Sequence, residues 1–182
     1  VFFGAGMRNL LMKARDRKSG GTVFAYHVED PQHYGVVTLD ASGKARKIDE
    51  KPTEPESSWA VTGLYFYDNR VLDIAASIKP SARGELEITD VNRAYLDMGE
   101  LHVELLSRGY AWLDTGTHES LLEASEFVRA IQHRQGMQVA CLEEIPFING
   151  FIGRDRLIER GKLFEKTAYG RYILRLAKEA SS

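Results

Sequence analysis

Strand-like runs alternate with segments of helical periodicity along this chain, and that order constrains the fold more than any other feature of the sequence. The runs rich in β-branched and aromatic residues are TVFAYHV, YGVVTLD and WAVTGLYFYD. Their composition and length are typical of buried strands. Strands and helices mixed in this order favour an α/β layer architecture, in which ligands bind at the carboxyl ends of the strands.

Helical periodicity places helices between and after these strands. The predicted helices cover residues 5–18, a segment behind Asn69 as N-cap, a short helix behind Thr89 that ends at Gly99, residues 119–134 behind Thr117, and a final helix near 169–177. Leu101, Val103 and Leu105 alternate with His102 and Glu104, which predicts a half-exposed strand. We expect an α/β core over residues 1–150 and a helical segment over residues 151–182.

Composition excludes several classes of protein. The net charge is −2 over 182 residues and no long lysine or arginine run occurs, so binding to nucleic acid or to an anionic membrane surface is not expected. The single cysteine, Cys141, rules out an internal disulfide and suits a reducing cytoplasm. No apolar stretch approaches the roughly 20 residues of a membrane helix. The five histidines show no paired metal-ligand spacing. The opening VFFGAGM lacks an initiator methionine, which favours a fragment of a longer protein.

Three short motifs each allow a functional and a structural interpretation. In Glu50-Lys51-Pro52 the lysine could hold a phosphate and the glutamate could accept hydrogen bonds from sugar hydroxyls. From the tripeptide alone, a solvated charge pair before a proline turn is favoured. Gly35 permits either close approach of a ligand or a turn. Gly63, in Val61-Thr62-Gly63, indicates a bulge or a close backbone approach.

Two charged sites lie next to predicted helices. Residues 83–90, RGELEITD, bring an arginine and several carboxylates to a loop where a guanidinium could meet a phosphate, although a charged surface loop is the simpler interpretation. Asp114, in WLDTGTH, follows an apolar run at a strand end. A carboxylate there either caps a turn or holds a ligand.

Taken together, these motifs resemble one family. EKP, WAVTGLYFYD, ARGELEITDVN and GYAWLDTGTHESLLEAS, in that order and spacing, closely resemble the sugar-phosphate nucleotidyltransferases, in particular those that transfer a thymidylyl group. The resemblance runs from Val1 to the C-terminal helix. It implies a Rossmann-like nucleotidyltransferase sheet, here partial, with a C-terminal helical appendage.

The resemblance also implies an activity and the residues that carry it. In the family, a phosphate oxygen of glucose 1-phosphate attacks the α-phosphorus of dTTP, and dTDP-glucose and pyrophosphate form. Lys51 and Arg83 would hold the sugar phosphate, and Asp114 would bind Mg²⁺. The sugar pocket would be lined by Tyr34, Gly35, Glu50 and Val61.

The chain departs from the family pattern at its beginning. The glycine-rich nucleotide loop, the activating lysine and a second metal-binding aspartate belong to an N-terminal half that this sequence does not contain. The chain alone is therefore expected to be inactive. A non-catalytic sugar-phosphate-binding or regulatory remnant, and a uridylyltransferase of the same family, remain as alternatives.

The C-terminal region resembles the part of the family that carries oligomer contacts and a regulatory nucleotide site. The regulatory positions would be Arg108, Cys141, Glu144 and Ile145, whereas Ile148 stands where the family has an arginine. The resemblance implies a cytoplasmic homo-oligomer, a tetramer, that supplies deoxysugar and surface polysaccharide synthesis.

Overall fold

A computed structural model describes residues 1–180, which form two compact units. The first is Val1–Trp112, and the second begins at Leu113. Along the chain, the boundary between the units thus falls between Trp112 and Leu113. The expected division into residues 1–150 and 151–182 concerned the family core and its appendage, and it stays a prediction.

The first unit is built on a mixed five-stranded sheet. Its strands are β2 (Gly21–His27), β3 (Gly35–Leu39), β4 (Ala45–Glu50), β5 (Trp59–Tyr67) and β6 (Leu101–Leu106). The order is β4-β3-β5-β2-β6, with β2 parallel to β6 and the remaining pairs antiparallel. A separate antiparallel pair joins β1 (Phe2–Phe3) to β7 (Ala111–Trp112). The α/β class predicted from the sequence is confirmed.

Helices cover both faces of the sheet. Helix α1 (Met7–Arg15) contributes Ala14 to a core cluster with Phe24 and Leu106. Helices α2 (Val71–Ser77) and α3 (Ile88–Asp97) pack on the other face, where the larger cluster lies. The fully buried members of that cluster include Val23, Ala25, Val37 and Tyr95. Successive residues of β2 point to opposite faces, so this strand is buried on both sides.

The structure changes the interpretation of β6. Glu104 is 4% exposed, whereas Leu105 is 38% exposed. Helix α1 and the loop after it account for this, because Lys13 and Arg17 both pair with the Glu104 carboxylate. The expectation that Glu104 lies on an exposed face is wrong.

Two helix starts also differ from the sequence prediction. Arg70, not Asn69, is the N-cap of α2, and Asp68 accepts a hydrogen bond from the Arg70 N–H at 3.0 Å. Thr89 lies inside the first turn of α3, which begins at Ile88. Asn69 had been predicted as the cap and Thr89 as a residue before the helix, because short polar side chains favour helix starts. The structure instead uses the Thr89 side chain in a tertiary contact.

The described part of the second unit, up to residue 180, contains four helices: α4 (His118–Gln135), α5 (Glu144–Ile148), α6 (Arg154–Leu163) and α7 (Ala168–Glu179). Thr117 caps α4 as predicted, and its hydroxyl accepts the Ser120 N–H at 3.1 Å. The core of this unit contains Cys141, Leu157, Tyr172, Ile173 and Ala177. None of the helices in residues 1–180 is long and apolar enough to cross a bilayer.

Candidate functional site

Lys51 follows β4 directly and has an unusual backbone conformation. Its φ is +43°, and it is one of two non-glycine residues with positive φ within residues 1–180. The Lys51 N–H donates to the Tyr34 carbonyl at 3.0 Å, which holds the strained residue at the end of the β3–β4 ladder. Within residues 1–180, its ammonium makes no hydrogen bond or ion pair. Backbone strain of this kind clusters at binding sites, and the exposed ammonium is free to meet an anion.

Glu50 is held next to Lys51 by a buried threonine. The Thr89 hydroxyl donates to Glu50 Oε2 at 2.5 Å, and Thr89 is only 3% exposed. A Cβ added to Gly35 would lie 3.1 Å from Thr89 Oγ1, 3.3 Å from Glu50 Oε2 and 3.9 Å from the Val61 Cβ. Gly35 therefore allows a close approach of these side chains. The interpretation of Gly35 as a simple turn residue is wrong, because it lies within β3 opposite Glu50.

Val61 lies beside an irregularity in β5. In the β2–β5 pairing, Val23 opposes Tyr65 and Ala25 opposes Val61, so β5 contains extra residues around Gly63. The predicted bulge at Gly63 is confirmed. The Thr62 hydroxyl donates to the Phe24 carbonyl at 3.0 Å and anchors the bulged strand. Bulges of this kind re-aim side chains near functional sites.

Arg83 comes to the same end of the sheet from the loop before α3. Its Nη1 lies 3.7 Å from Glu50 Oε1 and 3.7 Å from Glu87 Oε1, and its Nη2 lies 3.1 Å from Glu85 Oε2. Glu50, Arg83 and Glu87 line an open cleft of about 800 Å³, which extends to Lys47 and Arg93. Two cations thus adjoin Glu50, because Lys51 is the next residue in the chain and Arg83 approaches its carboxylate in space.

Aromatic rings lie close to these groups. The Tyr34 ring contacts the Trp112 ring edge-on, with 5.0 Å between centroids. Burial, and secondarily the charge of Glu50, raises the pKa of the Tyr65 hydroxyl, so Tyr65 stays protonated near that carboxylate. Thr89 and Tyr65 were not identified as site residues from the sequence. The only signal was their position in the motifs ELEITDVN and WAVTGLYFYD.

The structure thus brings together six of the predicted site residues, which are Tyr34, Gly35, Glu50, Lys51, Val61 and Arg83. All of them lie in the first unit. The neighbouring strands β3, β4 and β5 position the first five of these residues, and the loop before α3 positions Arg83. Their contacts follow from strand register and could not be read from sequence order.

Asp114 belongs to the second unit, near its beginning. It is exposed, and a Cβ added to Gly116 would lie 3.1 Å from its Oδ2. Asp114 is not the cap of α4, since Thr117 has that role. Carboxylate oxygen is a ligand that Mg²⁺ prefers, so this side chain fits as one ligand of such a cation. Within residues 1–180, no group of three or more potential metal-binding side chains is close enough to hold an ion.

The four predicted regulatory positions are divided between the units. Arg108 follows β6 in the first unit, whereas Cys141, Glu144 and Ile145 lie at and before α5. The buried Cys141 thiol donates to the Tyr169 hydroxyl at 3.4 Å. The Tyr172 hydroxyl donates to Glu144 at 2.6 Å, and burial together with this contact raises the pKa of Tyr172 to about 12.

Comparisons with known proteins identify the family of the chain. The family model described as "Nucleotidyl transferase" matches residues 1–131. Glucose-1-phosphate thymidylyltransferases from Xanthomonas campestris pv. campestris and Neisseria meningitidis are 54% and 51% identical to the chain over 181 and 179 residues. These alignments cover 100% and 98% of the chain, which spans 61% and 62% of the length of these two relatives.

Solved structures show the same relationship. A Bacillus anthracis protein assigned as a glucose-1-phosphate thymidylyltransferase, in complex with sucrose, is 41% identical with a TM-score of 0.62. The match covers 71% of this chain and 51% of that one. A UDP-glucose pyrophosphorylase complexed with UDP-glucose, at 24% identity and a TM-score of 0.56, shares the fold over 68% of this chain and 48% of its own. The chain belongs to the nucleotidyl transferase family.

Proposed function

We propose that this chain supplies the sugar-phosphate side of a glucose-1-phosphate thymidylyltransferase. One observation carries the proposal: two cations adjoin Glu50 at one end of the sheet, since the exposed Lys51 follows it directly in the chain and Arg83 Nη1 lies 3.7 Å from its Oε1. Two neighbouring positive charges suit a phosphate dianion, and a carboxylate beside them can accept hydrogen bonds from the hydroxyl groups of a sugar. The names of the relatives, at 45–54% identity, support this substrate pair.

The residues of the chain divide the work of binding. Lys51 and Arg83 would neutralise the phosphate of glucose 1-phosphate. Glu50, whose Oε2 already accepts a hydrogen bond from Thr89, would accept bonds from sugar hydroxyls through its remaining lone pairs. Gly35 leaves space at this point, because a side chain there would meet Thr89 and Glu50.

The reaction would join two charged groups in line. A phosphate oxygen of glucose 1-phosphate forms a bond to the α-phosphorus of dTTP, and the bond from that phosphorus to the bridging oxygen breaks, which releases pyrophosphate. Such a transfer depends mainly on positioning and charge neutralisation. Lys51 and Arg83 contribute both, since they hold the attacking phosphate and reduce its repulsion for the nucleotide.

We propose Asp114 as a ligand of Mg²⁺, the cation that would supply charge neutralisation at the phosphate oxygens when bound. The resemblance further supports a cytoplasmic homo-oligomer, a tetramer, whose dTDP-glucose enters deoxysugar and surface polysaccharide synthesis. The nucleotide-binding residues of the whole protein lie outside this chain. Catalysis is therefore proposed for the full-length protein.

The proposal is tested by Lys51→Ala in the chain joined to its upstream half. We expect kcat/KM for glucose 1-phosphate, measured by pyrophosphate release, to decrease. The decrease should correspond to a loss of about 2–4 kcal/mol of transition-state stabilisation, because a preorganised cation is lost. The KM for dTTP should change little. Lys44→Ala, in the exposed turn at the other end of the hairpin, is the matched control.

Two results would count against the proposal. If the joined wild-type protein releases no pyrophosphate, the alternative of a non-catalytic sugar-phosphate-binding protein is favoured. If Lys51→Ala and Lys44→Ala behave alike, Glu50-Lys51-Pro52 is a solvated turn. Replacing dTTP by UTP in the same assay distinguishes thymidylyl from uridylyl transfer.

A further inference from the structure

Ser81 organises the loop that carries Arg83. Its backbone N–H donates to the Glu85 carbonyl at 2.8 Å, and its own carbonyl accepts the Gly84 N–H at 2.8 Å. Gly84 has a φ of +79°, which favours glycine at this turn. Arg83 therefore sits within a tight turn whose two ends are both fixed by Ser81.

The Ser81 hydroxyl adds two more contacts. It accepts the Arg83 N–H at 3.2 Å and donates to Glu87 Oε1 at 3.0 Å. The Glu87 side chain is only 12% exposed, so few water molecules can replace the Ser81 hydroxyl as its hydrogen-bond donor. Its orientation therefore depends on Ser81 more than the orientation of a solvated carboxylate depends on one partner. Ser81 thus contacts both the backbone of Arg83 and one of the acids beside its guanidinium.

Arg83 lies between two anchored carboxylates. Glu50 and Glu87 are each 3.7 Å from Nη1, a separation that is too long for a hydrogen bond but short enough for attraction. Thr89 anchors Glu50, and Ser81 anchors Glu87. Within the described residues, the guanidinium donates one recorded hydrogen bond, from Nη2 to Glu85, whose side chain is 62% exposed. The guanidinium is therefore oriented while most of its donors remain available.

We propose that Ser81 is a positioning residue for the sugar phosphate, acting through Arg83. This inference rests on the proposed function, in which Arg83 binds the phosphate. Ser81 fixes the turn that presents Arg83 and orients Glu87, so that the guanidinium fork faces the cleft before the anion arrives. Preorganisation of this kind lowers the entropic cost of binding.

The test is calorimetric titration of glucose 1-phosphate into the chain joined to its upstream half, and into variants of that joined protein. Ser81→Ala should raise the dissociation constant about five- to tenfold, because the hydroxyl contacts to Arg83 and Glu87 are lost. Ser81→Thr keeps the hydroxyl and should restore binding to within about twofold of wild type. Rescue by threonine distinguishes hydroxyl-dependent positioning from a general loss of packing.

Three further variants separate the possible outcomes. Ser42→Ala removes a serine hydroxyl that donates to Asp40 at 2.7 Å in the β3–β4 turn, and it should leave binding unchanged. Glu85→Gln removes an exposed partner of the same guanidinium and should change binding by no more than about twofold. Lys51→Ala should weaken binding whether or not Ser81 matters.

The results distinguish the inference from the function on which it rests. If folded Ser81→Ala binds glucose 1-phosphate as wild type does while Lys51→Ala does not, the role of Ser81 is wrong and the proposed function stands. If Ser81→Thr binds as weakly as Ser81→Ala, the hydroxyl is not responsible and the inference is also wrong. If the wild-type joined protein does not bind glucose 1-phosphate, the sugar-phosphate assignment fails and the inference fails with it. Thermal unfolding of each variant establishes that it is folded.

Discussion

At the scale of single residues, the neighbouring charged residues Glu50 and Lys51 are held by different contacts. Lys51 occupies a strained conformation with φ of +43°, and its N–H bond to Tyr34 maintains it. Non-glycine residues in this region cost of order 1–3 kcal/mol and persist where neighbouring structure fixes them. Glu50, one residue earlier, is fixed by Thr89. The backbone of Lys51 is therefore held by its hydrogen bond to Tyr34, and the residue before it is held by Thr89.

Asp114 is the residue on which the metal proposal depends. Asparagine keeps the size and one acceptor oxygen of aspartate but loses the charge that balances a cation. In the chain joined to its upstream half, Asp114→Asn should therefore raise the Mg²⁺ concentration needed for half-maximal pyrophosphate release at least about tenfold. Glu119→Gln, an exposed acid in the first turn of α4, is the matched control. Equal Mg²⁺ dependence in the two folded variants would remove the metal assignment.

At the scale of secondary-structure elements, the contact between α1 and β6 shows how tertiary packing overrides a sequence pattern. Alternation along β6 predicted that Glu104 faces solvent. Instead α1 covers that face, and Arg17, which follows the helix, also donates to Thr22 of β2 at 3.1 Å. Glu104 thus joins α1 and the following loop to the parallel pair of β2 and β6.

This contact predicts a clear effect on stability. Glu104→Ala leaves Arg17, which is 21% exposed, without its buried partner, whereas Lys13 at 63% exposure can return to water. We expect the free energy of unfolding to fall by about 2–4 kcal/mol, near the range for breaking a buried pair. Urea denaturation measures this. Asp16→Asn, which removes an exposed ion pair with Arg15, should cost less than about 1 kcal/mol. A Glu104→Ala loss no larger than that would show that the buried pair contributes little.

At the scale of the whole molecule, each of the two units has its own core. The first contains the clusters around Val23 and Phe24, and the second contains the cluster around Leu157. In the first unit Asp68 joins several elements, because it accepts hydrogen bonds from Gly20 N–H, the Arg70 side chain and the Tyr95 hydroxyl. Arg70 first, then Gly20, lowers the pKa of the Asp68 carboxyl below its ordinary value.

The lowered pKa makes the first unit sensitive to acid. A carboxyl whose folded-state pKa lies below its unfolded value stabilises the fold above the unfolded value, near 3.9, and loses that contribution as pH falls toward the folded pKa. The urea midpoint of the wild-type protein should therefore decrease as the pH is lowered from about 5 to about 2. Asp68→Asn should be less stable than wild type at pH 7, and its midpoint should decrease less over the same pH range. Tryptophan fluorescence follows this unit, since Trp59 and Trp112 both lie in it. Asp155→Asn, in the second unit, is the control, and an equal acid response in wild type and Asp68→Asn would contradict the assignment.

The sequence by itself determined the type of the longer elements. The strands predicted at 22–28 and 59–68 correspond to β2 and β5, and Thr117 caps α4 as predicted, because periodicity and capping are local properties of the chain. The resemblance selected the residues at 34–35, 50–51, 61 and 83 as a site, although each motif alone favoured a simpler interpretation.

Only the tertiary structure decided which of these residues touch. The Thr89–Glu50 bond spans 39 positions in sequence, and the approach of Arg83 to Glu50 spans 33, so neither is visible in a local pattern. The burial of Glu104 depends on where α1 packs, and the strain at Lys51 depends on the register of β3 and β4. Period and composition specify which face of an element is apolar. Strand register and the packing of the elements decide which polar groups come within hydrogen-bonding distance of each other.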